Sequence, residues 1–164
     1  MTKAVIFDLD GTLISLPINY EKLFQKTEEI LNTNNVRPFL KTVSKTRGGK
    51  RAMIFKVWEE AELEALPRAT LNPKGKAIYE EYRRKPKALV TMQSRKFVEA
   101  FLKQFRLTFD TIVTREDSMN RAKQLAIARK TLKLKFADIL FVGNKEYDSA
   151  AAETVKCRFQ RVDE

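Results

Sequence analysis

Short runs of wholly apolar residues, separated by amphipathic stretches of helical length, constrain the fold of this 164-residue chain more than any other feature. Ala4-Val-Ile-Phe7 and Ile139-Leu-Phe-Val142 lack the in-out alternation of a half-exposed strand, and Ala88-Leu-Val-Thr91 and Thr111-Ile-Val-Thr114 are nearly as apolar. Such runs read as strands covered on both faces, the environment of a parallel sheet. Between them, Phe97, Val98, Phe101, Leu102 and Phe105 fall at helical spacing, as do Leu125, Ala128 and Leu132 in a helix expected from Ala122 to Leu134. A short helix over Ala150–Val155 and a last strand over Cys157–Val162 complete the series. This alternation predicts an α/β fold: a doubly wound, mostly parallel sheet with helices on both faces. Residues 15–85 break the pattern with helical stripes only, such as Tyr20, Leu23, Phe24, Thr27 and Leu31, or Ile54, Val57, Trp58 and Ala61. They form an all-helical insert, leaving 1–14 and 86–164 as the core.

Composition narrows the chemistry. The chain has no histidine, which removes Ser-His-Asp and Cys-His catalysis and imidazole zinc sites. Acid-base work near neutral pH then falls to carboxylates, lysines or metal-bound water. The single cysteine, Cys157, cannot form an internal disulfide, which fits a reducing, cytoplasmic setting, and no apolar run is long enough for a bilayer. The net charge of +11 suits a small anionic substrate or a nucleic acid. Lys41, Lys45, Arg47, Lys50, Arg51 and Lys56, around Gly48-Gly49, read as a solvated loop, a loop closing over an anion, or a nucleic-acid contact.

Open parallel sheets bind ligands beyond the carboxyl ends of their strands. The first strand is followed by Asp8 and Asp10, with Gly11 allowing the chain to bend; the second ends in Thr91; Gly143 after the fourth leads to Asn144 and Asp148; and a helix opening with Arg121 and Lys123 precedes that strand. Paired carboxylates supply a nucleophile and an acid-base group. Carboxylate and amide oxygens together favour Mg²⁺, and a hydroxyl and a cation suit the oxygens of a transferring phosphoryl group. Asp148 also stands where it can cap the helix that follows.

Asp8-Leu-Asp-Gly-Thr12 after an apolar strand resembles the first motif of the haloacid dehalogenase-like superfamily. Thr91 is similar to its second motif, and residues 120–144 resemble the segment from the third to the fourth. The motifs occur in order, so the resemblance covers the core, and the helical insert lies where that family often places a cap. It implies a Mg²⁺-dependent phosphohydrolase of small phosphate monoesters. Asp8 is the nucleophile that becomes an aspartyl-phosphate, Asp10 the general acid and base, and Thr91 a phosphoryl contact. Arg121, or failing it Lys123, is the third-motif cation. Asp8, the Asp10 carbonyl and a fourth-motif residue, Asn144 or Asp148, hold the metal. The family usually has an acid directly after the fourth-motif glycine, where this chain has Asn144 followed by Lys145. That departure, with the basic charge, keeps open a catalytically weakened nucleic-acid-associated or regulatory protein; a phosphomutase or other phosphotransferase is the alternative among enzymes.

Overall fold

The computed structural model describes residues 1–163. The elements run β1 (Ala4–Phe7), β2 (Ile14–Ser15), α1 (Tyr20–Leu31), α2 (Phe39–Lys45), α3 (Gly48–Ala65), β3 (Thr70–Leu71), α4 (Pro73–Glu81), β4 (Lys87–Val90), α5 (Arg95–Phe105), β5 (Thr111–Val113), α6 (Arg121–Leu132), β6 (Ile139–Gly143), α7 (Glu146–Val155) and β7 (Arg158–Arg161). The main sheet is parallel, in the order β5-β4-β1-β6-β7. The chain leaves β1 towards β4 and β5 on one side, then crosses to β6 and β7 on the other. β1 therefore marks the switch point, where strand ends splay and leave a crevice.

Both sheet faces are covered, as the apolar runs require. Val5 and Phe7 of β1 join one core cluster, with Leu23, Ile54, Trp58 and Phe101; Ala4 and Ile6 join the opposite one, with Leu125, Ala128 and Ala152. Helix α5 starts cleanly because the Ser94 hydroxyl accepts a hydrogen bond from the Phe97 backbone N–H, and α6 because Asn120 does the same for Lys123.

The insert departs from the all-helical expectation at its root. Ile14 and Ser15 pair antiparallel with Leu71 and Thr70, forming a short ribbon where the chain leaves and re-enters the core. Helix α4 lies on the sheet: the Tyr79 ring is 6.1 Å from Phe7 and 5.7 Å from Phe109, and its hydroxyl donates to the Thr108 carbonyl at 3.0 Å. The basic segment is helical too, on α2 and α3, with Lys41, Lys45, Arg47, Lys50 and Lys56 exposed.

Gly75 lets α4 approach this closely, since a Cβ there would lie 1.9 Å from the Thr12 carbonyl oxygen. Alanine in a helix interior ordinarily stabilises by about 1 kcal/mol over glycine. Here the obstacle is backbone, which cannot rotate away. Gly75→Ala is expected to destabilise by about 1–3 kcal/mol, read as a loss of several degrees in thermal midpoint.

A buried ion pair ties the insert to the core. Arg115, just beyond β5, donates to the Glu62 carboxylate of α3 at 2.7 Å, and both side chains are fully buried. The guanidinium also donates to the carbonyls of Met92 (3.1 Å) and Phe55 (3.0 Å) and lies 4.0 Å from the Trp58 ring centroid. Glu62 in turn accepts from the Ser94 backbone N–H at 3.3 Å.

Candidate functional site

The carboxyl ends of β1, β4 and β6 bring most of the expected residues to one point. Asp8 follows β1 directly, and its backbone N–H donates to the Val142 carbonyl at 2.9 Å, which fixes the strand end against β6. Gly11 takes a positive φ of 85°, and a Cβ on it would lie 2.2 Å from the Asn144 amide nitrogen. The tight turn at Gly11 thus also makes room for the loop after β6.

Asp8 is 2% exposed and is held from two sides. Arg121, at the start of α6, donates to its Oδ1 at 2.9 Å; Lys145 Nζ and the Thr12 hydroxyl donate to its Oδ2 at 2.9 and 3.3 Å. Burial alone would favour the neutral acid, but the charges of Lys145 and then Arg121 outweigh it and hold Asp8 below the usual carboxylate range. Arg121 bridges to the other acid, its Nε donating to Asp148 Oδ1 at 2.9 Å. Its remaining donors reach Gln124 Oε1 (2.5 Å) and the Tyr147 hydroxyl (3.4 Å). Gln124, fully buried, donates to the Thr91 and Ser118 carbonyls, which sets its amide for Arg121. Asp148 Oδ2 accepts the backbone N–H groups of Asn144 (3.2 Å) and Lys145 (3.1 Å) at the start of α7. Burial and then the nearby Asp8 charge push Asp148 up to about 6, with Arg121 and Lys145 pulling the other way.

The structure thus joins Asp8, Arg121, Asn144 and Asp148 in one network and separates two expected members from it. Lys123 is exposed on the solvent side of α6, because Arg121 at the first helical position is the cation aimed at Asp8. The Thr91 hydroxyl is turned into its own loop: it donates to Gln93 Oε1 at 2.6 Å and accepts from the Gln93 backbone N–H at 3.0 Å. The side chain that the sequence reading left without a role is Lys145. Its ammonium donates to Asp8 Oδ2, to Asn144 Oδ1 at 3.1 Å, and to the Asp10 backbone carbonyl. Those are oxygens that the family resemblance assigns to Mg²⁺. Burial acts against this ammonium, but the Asp8 charge overrides it, so its pKa is raised.

The residues present therefore do not fit the expected divalent cation. The Lys145 ammonium holds their common focus, and Asp148 is committed to Arg121 and to two backbone donors. Among the described residues, no group of three or more Asp, Glu, His or Cys is placed to hold a metal.

A cavity of about 380 Å³ opens onto the network. Asp8, Asp10 and Lys145 line its floor, and Tyr20, Phe39 and Trp58 of the insert line its opposite wall. Phe39 and Trp58 meet edge to face with centroids 4.9 Å apart, which makes that wall aromatic. No helix among the described residues is long and apolar enough to cross a membrane.

Three solved structures place the fold in context. A haloacid dehalogenase-like family hydrolase from Streptococcus pneumoniae superposes with TM-score 0.71 at 18% identity, over 96% of this chain and 83% of that one. CbbY from Rhodobacter sphaeroides, solved in complex with phosphate, gives 0.72 at 19% identity, over 100% and 87%. L-2-haloacid dehalogenase from Xanthobacter autotrophicus, with chloropropionic acid covalently bound, gives 0.64 at 19%, over 99% and 78%. The shared fold thus spans proteins of different chemistry. No curated protein matches this sequence. A model of haloacid dehalogenase-like hydrolases matches residues 81–162, from the end of α4 through β7. Members of that family generally use Mg²⁺, which makes the Lys145 contacts a local departure. The matched stretch includes Arg121 and Asp148, and the sheet order sets Asp8 between its strands β4 and β6. The chain belongs to the haloacid dehalogenase-like hydrolase family.

Proposed function

We propose that this hydrolase cleaves small phosphate monoesters, with Asp8 as nucleophile. The observation that carries the reading is the state of Asp8: a buried carboxylate, kept ionised by Arg121 and Lys145, at the floor of a cavity sized for a small molecule. A carboxylate oxygen of Asp8 attacks phosphorus, the ester oxygen leaves, and an aspartyl-phosphate forms. Asp10 shares the cavity and is set to protonate the leaving oxygen, then to take the proton from the water that attacks phosphorus and restores Asp8. Arg121 and Lys145 offset the charge on the transferring group. The helical insert acts as a cap: Tyr20, Phe39 and Trp58 limit the size of the substrate and exclude water.

One feature supports a small organic phosphate over a nucleic acid: the cavity at Asp8 is walled by aromatic residues of the insert, and the one cation among its lining residues, Lys145, is tied to Asp8. The single cysteine is buried, in keeping with a cytoplasmic setting. The test is release of inorganic phosphate from an aryl phosphate without an added acceptor. Asp10→Asn is expected to slow it about 10²–10⁴-fold, the usual contribution of a general acid-base group. An acceptor requirement would move the protein to the phosphotransferases. Equal rates for wild type and Asp10→Asn would remove Asp10 from the mechanism.

A further inference from the structure

The contacts of Lys145 carry a further inference. We propose that its ammonium takes the place of a divalent cation in this site, so that the protein binds its phosphate anion without a metal. The inference deepens the phosphohydrolase reading and rests on it for the identity of the anion; the exclusion of metal stands on geometry alone.

An ammonium has three N–H donors and no acceptor. Lys145 finds an acceptor for each: Asp8 Oδ2 at 2.9 Å, Asn144 Oδ1 at 3.1 Å, and the Asp10 carbonyl. These oxygens come from the ends of two neighbouring strands, Asp8 and Asp10 after β1 and Asn144 after β6, and they converge on one atom. Their combined charge matches a monovalent cation, because only Asp8 among them is ionised. Asn144 supplies an amide oxygen and Asp10 a backbone one. A divalent ion pulled into the same focus would stand within bonding distance of a like charge, with a single carboxylate to offset both.

The surroundings keep the lysine in place. Its backbone N–H is fixed by Asp148 Oδ2 at 3.1 Å, and that carboxylate is turned away from the focus by Arg121. The asparagine and the lysine therefore work together. One lowers the charge of the oxygen set, and the other fills it with a cation that no chelator removes.

The experiment titrates Mn²⁺, read by electron paramagnetic resonance, and Mg²⁺, read by calorimetry, into wild type, Lys145→Ala, Lys145→Met and Asn144→Asp/Lys145→Ala. The Met variant keeps the length of the stem and removes only the charge, and circular dichroism checks that each variant is folded. Wild type is expected to bind neither ion at millimolar concentration, and both single variants to bind at least about tenfold more tightly. The double variant, with a second carboxylate, is expected to bind tightest. Wild type binding either ion as tightly as Lys145→Met overturns the proposal. So does a failure of every folded variant to bind, because the oxygens would then not be a cation site. No turnover enters these readings, so a protein that proved unable to hydrolyse phosphate esters would leave them intact.

Discussion

Replacing Asp8 by asparagine is expected to lower phosphate release from an aryl phosphate at least about a thousandfold, while inorganic phosphate binds no more weakly than to wild type. The first effect follows from loss of the attacking oxygen, since an amide is a poor nucleophile. The second follows from the charge balance. Arg121 and Lys145 each contact a different oxygen of Asp8 at 2.9 Å, and asparagine removes the charge that compensates both. An incoming anion then meets two cations with less competition. The divergence of the two readouts matters. A variant that had merely collapsed would lose turnover and binding together, and a site that acts only by binding would show no loss of turnover. Because the substitution leaves the buried Arg121 and the half-buried Lys145 less well compensated, a lower thermal midpoint is expected alongside.

The second large effect concerns stability. Arg115→Met is expected to cost about 3–5 kcal/mol, since it strands the Glu62 carboxyl in the core. For a chain of this size, that corresponds to a fall of roughly 10 °C or more in the thermal midpoint. Methionine keeps much of the volume against Trp58 and Phe55 but none of the hydrogen bonds to Glu62, Met92 and Phe55. The loss should also depend on pH. Burial pushes Glu62 up to about 7 even with Arg115 opposing it. A folded-state pKa above the unfolded value means stability that is present at low pH and declines until the folded carboxyl ionises. In wild type that decline ends near pH 7; without Arg115 the folded pKa lies higher, and the decline runs on. The deficit of the variant should therefore widen as pH rises above about 7, a trend that denaturant titrations at several pH values measure directly. Because the pair joins α3 to the segment after β5, the same variant should loosen the wall formed by Phe39 and Trp58 and raise KM more than it lowers kcat.

Much of this was legible in the sequence, for identifiable reasons. The strands β1, β4 and β6 are buried on both faces, so their composition announces them, and the acids after β1 and β6 stand at the rim where open parallel sheets generally bind ligands. Arg121 was legible as a cation opening a helix beside that rim. The hidden features depend on where a side chain points. Thr91 ends a strand at the expected place, but the Gln93 amide two residues on captures its hydroxyl. Glu62 and Arg115 look like surface charges, and no local pattern reveals that they meet in the core across 53 positions. The β2–β3 ribbon is only two residues a side, too short to interrupt a helical periodicity. Lys145 did leave a signal: a lost acid at 144 beside a gained base at 145 reverses the local charge at the rim. Only the convergence of oxygens from β1 and β6 shows what that reversal does.

Nucleophilic catalysis by Asp8 requires a covalent bond between its carboxylate and phosphorus. Acid quenching during turnover of an aryl phosphate, followed by borohydride reduction and peptide mass spectrometry, reads that bond, because an acyl phosphate is reduced to the alcohol and a free carboxylate is not. The Asp8 side chain is predicted to appear as the alcohol in wild type, and to accumulate further in Asp10→Asn, where the attacking water lacks its base. Phosphate release continuing with Asp8 unmodified, and at the same rate in Asp8→Asn, would rule out Asp8 as the nucleophile.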